Sequence, residues 1–431
     1  MARRLNASDK NFAADFEKLL FAKREIEENV AVQTRAIIAR VRAEGDAALV
    51  ALTNQFDKSG VTATTLKIPA SEIDAAAAAI TPTQKRALEL AAGRIHDYHK
   101  RQLPKDDSFT DDAGATLGWR WNAVDSAGLY VPGGTASYPS SVLMNAIPAK
   151  VAGVGRIVMV TPAGSGTINP LVLAAARIAG VTEIFKVGGA QAVAALAYGT
   201  ASIAAVDKIV GPGNAWVAAA KREVFGQVGI DSIAGPSEIL VIADAANDPD
   251  WIAADLLAQA EHDATSQSIL ITDNAAFADA VAAAVENLLQ KFPRQALARK
   301  SWDDYGGIIV VRDLDDAAPL ADRFAPEHLE IATAEPKVLL DKVRHAGAIF
   351  LGRHTPEAMG DYIAGPNHVL PTSRSARFSS GLSVLDFMKR TSLLSLDAGA
   401  MARLGPDAIA LAEAEGLDAH AASIAARLNR R

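Results

Sequence analysis

The chain of 431 residues contains no cysteine. This absence excludes disulfide bonds, iron–sulfur clusters, zinc sites built on thiolates and any cysteine nucleophile. Whatever chemistry the chain performs has to proceed without a thiol.

Positive charge is also scarce, since 43 lysine and arginine residues stand against 50 aspartate and glutamate residues, a formal net charge of −7. The basic residues are scattered, so the sequence has no electrostatic footprint for nucleic acid. We expect no signal peptide, because acidic residues follow the basic start where an apolar core would be needed. The longest uncharged stretch, residues 187–206, is rich in alanine and glycine and predicts a buried helix between two strands, not a membrane span. The protein is therefore expected to be cytoplasmic, with no membrane partner.

Short apolar strands alternate with helical segments in one run from residue 127 to 225 and a second from 238 to 351. This alternation is typical of right-handed β–α–β units and parallel sheets. After Leu382 no further strand pattern occurs, and the last segment is too small to form its own core. The predicted fold is α/β, with two Rossmann-like (incomplete) parallel-sheet domains and small helical N- and C-terminal extensions.

The predicted boundaries follow these changes in pattern. They are an N-terminal helical arm over residues 1–25, a larger α/β domain made of 26–127 and 237–382, a Rossmann-like domain over 128–236, and a C-terminal helical tail over 383–431. Within the larger domain, Thr81-Pro-Thr-Gln84 is a capping box that begins a helix running to about Lys100.

Three glycine-rich turns join strands to helices in the first run: Tyr130-Val-Pro-Gly-Gly134, Val187-Gly-Gly-Ala-Gln191 and Val210-Gly-Pro-Gly-Asn214. Backbone amides at such turns can bind phosphate at helix N-termini. None of the three matches the dinucleotide fingerprint, and no spaced acidic residue marks a ribose partner. From the pattern alone, a nucleotide site and purely structural turns both stay open.

A helix is predicted to begin at Asp248, which can cap it, with Pro249 at its first position. Its core-facing stripe runs from Ile252 to Gln259, and His262 lies on the same side one turn later. Buried polar groups need partners. The plainest interpretation is hydrogen bonding to nearby backbone, and a metal site is the alternative.

Zinc accepts imidazole nitrogen and carboxylate oxygen, so His262, Asp361 and His420 form a reasonable ligand set. The residues alone leave three candidates for the oxygen donor: Glu261, Asp263 and Asp361. Three other histidines in charged or helical surroundings are predicted to be solvated surface residues: His96, His99 and His345.

Glu327 and His328 form the most obvious acid–base pair. Adjacent residues in a strand or turn point apart, so the two would serve different protons instead of bonding each other. An exposed polar turn is the alternative, but the flanking Phe324, Leu329 and Ile331 argue against it.

These stretches occur together, and in order, in one family. The chain resembles histidinol dehydrogenases essentially from end to end, and the stretches that carry the resemblance are Tyr130-Val-Pro-Gly-Gly134, Gly188-Gly-Ala-Gln-Ala-Val193, Gly211-Pro-Gly-Asn214, Ala234-Gly-Pro-Ser-Glu238, Gln259-Ala-Glu-His262, Ala325-Pro-Glu-His-Leu-Glu330, Gly360-Asp-Tyr362, Gly365-Pro-Asn-His368 and Glu415-Gly-Leu-Asp-Ala-His420. Each motif alone is weak evidence, but so many ordered matches are specific.

The resemblance implies an NAD-linked, zinc-dependent, four-electron oxidation of L-histidinol through histidinaldehyde to L-histidine, the last step of histidine biosynthesis. It implies one zinc ion per subunit, with the ligands Gln259, His262, Asp361 and His420, which also contact the substrate. Glu327 would activate water for addition to the aldehyde, and His328, beside the substrate, would be the general base. The missing cysteine agrees with this, since the second oxidation then needs water and not a thiol.

The remaining roles are also implied by the resemblance. Ser237, His368 and Glu415 would complete the substrate pocket, while Tyr130, Gln191 and Asn214 match the family's NAD contacts. The region 128–236 would then bind NAD, and the larger domain would carry the metal and catalytic residues. The family is a homodimer, so the tail with Glu415 and His420 would reach into the partner's active site.

Three other functions are alternatives to this one. A related enzyme could oxidise another small polar alcohol, although His368 and Glu415 suit an imidazole ring. A zinc hydrolase could use Glu327 to activate water, but it leaves the three glycine-rich turns without a role. An inactive structural or regulatory relative is disfavoured, because every implied site residue is present.

Overall fold

The computed structural model describes residues 2–22, 28–133 and 138–428. Up to residue 123 it is mostly helical, with the elements β1 (Arg3–Asn6), α1 (Phe12–Leu20), α2 (Glu28–Glu44), α3 (Asp46–Asp57), α4 (Ala70–Ala79), α5 (Pro82–Lys100), β2 (Asp107–Thr110) and β3 (Thr116–Ala123). The predicted capping box of α5 is confirmed. Thr81 Oγ1 accepts from the Gln84 N–H at 3.2 Å, and Gln84 Oε1 accepts from the Thr81 N–H at 2.9 Å.

Residues 126–230 form a five-stranded sheet with its helices: β4 (Ser126–Tyr130), α6 (Pro139–Ala152), β5 (Arg156–Thr161), α7 (Pro170–Ala179), β6 (Glu183–Lys186), α8 (Gly189–Tyr198), β7 (Lys208–Val210), α9 (Ala215–Val224) and β8 (Gly229–Ile230). The strand order is β6-β5-β4-β7-β8, and all neighbours are parallel. The chain moves outward from β4 through β5 to β6 and then crosses back to β7. The carboxyl ends of β4 and β7 therefore flank the crevice where open α/β sheets bind ligands.

The second sheet takes most of its strands from residues 238–351. The elements of the rest of the chain are β9 (Glu238–Ala243), α10 (Pro249–Ala260), β10 (Gln267–Thr272), α11 (Ala275–Leu289), α12 (Gln295–Tyr305), β11 (Gly307–Val310), α13 (Ala317–Phe324), β12 (His328–Ala332), α14 (Pro336–Leu340), β13 (Ala348–Leu351), α15 (Glu357–Tyr362), β14 (Met388–Ser395), α16 (Ala398–Ala414) and α17 (Asp418–Arg427). Six parallel strands follow the order β1-β11-β10-β9-β12-β13. The prediction of an α/β fold with two parallel sheets is confirmed.

Helices from the first 100 residues cover both faces of the five-stranded sheet. α2 and α3 pack with α8 and α9 on one face, and α4 and α5 pack with α6 and α7 on the other. The boundaries drawn from the sequence group these helices with the larger domain, whereas their contacts place them on the smaller sheet. Helical periodicity shows that one face is buried but not which sheet buries it.

Two segments differ from their predicted structure. Residues 3–6, in the predicted helical arm, form the edge strand β1 beside β11. They are too few and too polar to show alternation. Residues 388–395, in the predicted helical tail, form β14, which pairs antiparallel with β3. Most of β14 is exposed, so neither face has to be apolar and the strand period is missing.

The uncharged stretch at residues 187–206 contains α8, which is buried from Ala190 to Ala197 and lies between β6 and β7 as predicted. Among the residues described, no helix is both long enough and apolar enough to cross a membrane. Residues 1 and 23–25 of the predicted arm, and 429–431 of the predicted tail, lie outside the described residues.

Candidate active site and metal centre

The predicted acid–base pair lies where β12 begins. Glu327 precedes the strand and His328 is its first residue, and both are buried. Glu327 Oε2 accepts a hydrogen bond from the Glu238 N–H at 3.0 Å, while His328 Nδ1 donates to the Glu238 carbonyl oxygen at 3.0 Å. Glu327 Oε2 and His328 Nδ1 are 3.8 Å apart, too far for a hydrogen bond. The Glu238 backbone therefore holds each of the two side chains separately.

The hydrogen bond at Nδ1 determines which nitrogen of His328 has the lone pair. Since a carbonyl oxygen only accepts, Nδ1 carries the proton and the lone pair lies on Nε2. Nε2 is buried, and none of the described residues is its hydrogen-bond partner. Burial lowers the pKa of His328 to about 3, and the nearby His262 and His368 also lower it. The imidazole is therefore neutral at neutral pH and can accept a proton at Nε2.

The pKa of Glu327 is shifted in the opposite direction, upward. Burial raises the pKa of its carboxyl group well above the ordinary value, and the charges of Glu238 and Asp361 raise it too, against hydrogen bonds from the Glu238 N–H and the Ser237 side chain. A carboxylate with a raised pKa is a stronger base. Ser237, predicted to line the substrate pocket, thus contacts the carboxyl group predicted to activate water.

Gln259 and His262 lie at the end of α10, which begins as predicted, with Asp248 Oδ1 accepting from the Asp250 N–H at 2.9 Å. Gln259 is fully buried, and its Oε1 has no hydrogen-bond partner within the described chain. Its Nε2 is 3.4 Å from His262 Nδ1. The His262 side chain is exposed. Desolvation by the surrounding atoms lowers its pKa, and the charge of Arg294 adds to this.

Asp361 lies in the short helix α15, and His368 lies in the loop that follows. Asp361 Oδ1 is 3.8 Å from His328 Nε2 and 4.0 Å from His368 Nδ1. His368 Nδ1 donates to the Asp361 carbonyl oxygen at 3.0 Å, and its Nε2 is 3.3 Å from the Ser141 hydroxyl oxygen. Burial raises the pKa of Asp361 to about 7 and lowers that of His368 to about 4.

Glu357 belongs to this cluster, although no sequence argument singled it out. One ligand atom each from His328, Glu357 and Asp361 lies within 4.8 Å of the others. Glu357 is buried, and its Oε2 finds no hydrogen-bond partner in the described part of the chain. Burial raises the pKa of Glu357 well above its ordinary value, and the charges of Asp361 and Glu330 contribute. The sequence feature that could have predicted Glu357 as a site residue is its position four residues before Asp361, on the same helix face.

These groups fit a divalent cation. Buried carboxylates are costly unless a positive charge or a metal pairs with them. The unpartnered amide oxygen of Gln259, the neutral imidazole of His262 and the carboxyl group of Asp361 are oxygen and nitrogen donors of the kinds that zinc accepts. The resemblance implies these three residues as donors from a single chain. Of them, only Asp361 belongs to the group of His328, Glu357 and Asp361 whose ligand atoms lie close together, and His262 does not.

The other two predicted site residues lie elsewhere in the single chain. Glu415 directly follows α16 and His420 lies in α17, and both side chains are exposed. Within the described residues, the one group of three histidine, aspartate or glutamate side chains placed to hold a metal does not include them. Helices α16 and α17 pack chiefly on each other.

The three predicted cofactor residues lie at the carboxyl ends of β4, β6 and β7. Tyr130 ends β4, and its hydroxyl oxygen accepts from the Gly189 N–H at 3.0 Å. Burial raises the pKa of Tyr130 to about 12. Gln191 is buried in the first turn of α8, and its Nε2 lacks a hydrogen-bond partner among the described residues. Asn214 caps α9 by accepting from two backbone N–H groups at 3.1 and 3.2 Å. Gly134 of the first turn lies outside the described residues.

The fold and the site together define the class of protein. It is an α/β enzyme with a buried acid–base pair beside donors that suit a metal. A family model described as histidinol dehydrogenase matches residues 22–428. The chain belongs to the histidinol dehydrogenase family and is an oxidoreductase.

Individual relatives agree over the whole length. The chain is 64% identical over 429 residues to a histidinol dehydrogenase of Rhizobium meliloti (strain 1021), covering 100% of this chain and 99% of that protein. It is also 64% identical over 431 residues to a histidinol dehydrogenase of Rhodospirillum rubrum, with 100% and 99% covered. Among solved structures, histidinol dehydrogenase from Elizabethkingia anophelis is similar, with a TM-score of 0.94, 34% identity, and 99% of this chain and 98% of that chain covered.

Proposed function

We propose that the protein uses zinc and NAD to oxidise L-histidinol through L-histidinaldehyde to L-histidine, the last step of histidine biosynthesis. The observation that carries this proposal is the buried Glu327–His328 pair beside metal-competent donors, in a chain of this family. In this proposal the five-stranded sheet binds NAD and the six-stranded sheet carries the catalytic and metal-binding residues.

Gln259, His262 and Asp361 would hold the zinc ion together with His420 of the partner subunit. When bound, zinc would hold the substrate by its imidazole and amino nitrogens and thereby orient it. The unpartnered Oε1 of Gln259 supports this ligand set, because a buried amide oxygen without a donor is otherwise costly.

His328 would accept a proton twice. In the first oxidation its Nε2 takes the proton of the substrate hydroxyl group as hydride leaves the carbinol carbon. His328 would then release this proton to solvent and become neutral again. Glu327 would take a proton from the water that adds to the aldehyde, and His328 would accept the second hydroxyl proton as the hydrate loses its hydride. The neutral state of His328 and the raised pKa of Glu327 support these roles. Ser237, His368 and Glu415 of the partner subunit would complete the pocket.

Tyr130, Gln191 and Asn214 would bind two NAD molecules in turn, and each would accept one hydride when bound. Their position at the carboxyl ends of β4, β6 and β7, beside the crevice of the five-stranded sheet, supports this role. The unpartnered Nε2 of Gln191 supplies a buried donor for the cofactor.

The protein would act as a homodimer with shared active sites. Glu415 and His420 are exposed, and the helices α16 and α17 beside them pack chiefly on each other. Both observations support an exchange of this helical pair between subunits.

The test is NADH production by purified zinc-loaded protein from L-histidinol and from an amino alcohol without the imidazole ring. We expect NADH only from L-histidinol, loss of activity after EDTA treatment, and recovery when zinc is restored. Equal rates with the ring-free alcohol would favour the enzyme of another small alcohol. No NADH from either compound, together with zinc-dependent hydrolysis of an ester or amide, would favour the zinc hydrolase.

A further inference from the structure

Three elements converge on the proposed zinc centre, and each carries a further buried or half-buried carboxyl group. On α10, Asp255 lies one turn before Gln259. On β12, Glu330 lies two residues after His328 and therefore on the same face of the strand. On α15, Glu357 is the first residue, one turn before Asp361.

Glu330 contacts both of the other elements. Its Oε1 accepts a hydrogen bond from the Glu357 backbone N–H at 2.6 Å. Its carboxyl group is also hydrogen-bonded to the carboxyl group of Asp255. Glu330 is only 3% exposed, so water hardly competes for the groups that make these two contacts. One side chain of β12 thus joins the helix that carries Gln259 to the helix that carries Asp361.

Two carboxyl groups can bond each other directly only if they share a proton. Burial raises the pKa of Asp255 to about 6, and burial together with the charge of Asp255 raises the pKa of Glu330 well above its ordinary value. Neither residue has a role in the proposed reaction.

We propose that Glu330 is a positioning residue, which fixes α10 and α15 at the spacing that Gln259, His262 and Asp361 need to bind one zinc ion. It contacts neither substrate nor metal and acts through the Asp255 carboxyl group and the Glu357 N–H. This inference rests on the proposed zinc centre.

The experiment measures zinc affinity of the intact protein by competition with a chromophoric chelator, beside the thermal midpoint of the metal-free protein. Glu330→Leu removes both contacts, and we expect it to weaken zinc binding about 10–100-fold, as loss of groups that orient metal ligands does. Glu330→Gln keeps an oxygen for the Glu357 N–H, and its amide can donate to the Asp255 carboxylate without a shared proton. It should restore zinc affinity to within about threefold of the original.

Two further variants separate positioning from general stability. Glu335→Leu replaces an exposed carboxyl group three residues beyond β12 and should leave zinc affinity unchanged. Asp255→Leu/Glu330→Leu replaces both members of the carboxyl pair with apolar groups, so that only the Glu357 N–H loses its partner. We expect the double variant to lower the thermal midpoint of the metal-free protein less than Glu330→Leu does, yet to bind zinc as weakly. It also replaces the single variant if that one does not fold.

Zinc affinity in Glu330→Leu and the double variant equal to that of the unaltered protein would overturn the inference. So would Glu330→Gln binding zinc as weakly as Glu330→Leu. Failure of the unaltered protein to bind zinc would instead refute the zinc centre, and the positioning role with it.

Discussion

A buried carboxyl group with no cation beside it makes a folded protein less stable as the pH rises, and Glu357 is in this position in the metal-free chain. Its folded-state pKa lies above the unfolded value of about 4.3. Its contribution to stability is therefore fully present below about pH 4 and is lost as the pH rises through the folded-state pKa. A bound cation would reverse this by stabilising the ionised form.

We predict that Glu357→Gln raises the thermal midpoint of the metal-free protein at about pH 8 and changes it little at about pH 5, because glutamine resembles the protonated acid. Each unit of pKa difference corresponds to about 1.4 kcal/mol. Thermal melts at the two pH values, after EDTA treatment and dialysis, measure the effect. The exposed Glu335→Gln serves as the control and should show no such difference. A lower midpoint at both pH values would contradict the account.

At the same scale, residue type singled out Glu327, His328 and Asp361, and the family resemblance added His368. The structure places these four side chains close together, and their roles stay a prediction. His99, predicted to be a surface residue, is instead fully buried, with Nδ1 2.8 Å from the Ile95 carbonyl oxygen. It lies four residues after Ile95 on the apolar face of α5, a spacing that the charged neighbours obscured.

At the scale of the elements, side chains around the N-terminus of α9 hold the glycine-rich turn that precedes this helix. Gly211 has a positive φ of 114°, and a side chain there would collide with the Tyr130 carbonyl oxygen. Asp231 Oδ2 accepts from the Gly211 N–H at 2.7 Å, and Lys221 Nζ donates to the Gly211 carbonyl oxygen at 3.1 Å. Lys221 and Asp231 also form a buried ion pair. These hydrogen bonds hold the two peptide groups that flank Gly211, in the turn before Asn214.

We predict that Lys221→Met destabilises the protein by about 3–5 kcal/mol, because it leaves the buried Asp231 carboxylate without its partner. NADH binding should weaken as well, since the turn loses one of its supports. Denaturant unfolding and fluorescence titration with NADH measure the two effects. The adjacent exposed Arg222→Met should change stability by no more than about 0.5 kcal/mol. Equal stabilities of the two variants would count against this function of the ion pair.

Most elements with an apolar buried face could be predicted, because both sheets are covered by helices. β12 is fully buried, but it contains His328 and Glu330, so the sequence left a strand and a turn open there. β14 is mostly exposed and β1 is a four-residue edge strand, so neither has to follow a pattern. The packing of α2 to α5 on the smaller sheet depends on contacts between residues far apart in the sequence. Local periodicity does not predict such contacts.

On the scale of the whole molecule, the C-terminal region of the single chain exposes large apolar side chains to solvent. Leucines of β14, α16 and the turn before α17 are exposed, and their exposed fractions are 46% for Leu393, 68% for Leu394, 67% for Leu411 and 42% for Leu417. Contiguous exposed apolar surface is typical of interfaces. The exposed leucines accord with the proposed dimer, in which Glu415 and His420 would reach the partner's site. No pattern within one chain predicts such a position.

We predict that two inactive variants complement each other in mixed dimers. In a mixed dimer of Glu327→Gln and His420→Asn chains, one site combines both substitutions and the other has neither. With random pairing, about a quarter of the normal activity should return. The measurement is histidinol-dependent NADH formation after the two chains are refolded together. His96→Asn, an exposed histidine, is the control and should be fully active alone. Absence of any recovery in proven mixed dimers would refute shared sites.

The most direct measurement of the central claim is the number of NADH molecules formed per L-histidinol consumed by the zinc-loaded protein. We expect two, with L-histidine as the product, because in the proposed reaction Glu327 would activate water for the second oxidation. One NADH per L-histidinol, with histidinaldehyde accumulating, would contradict that role and the four-electron course.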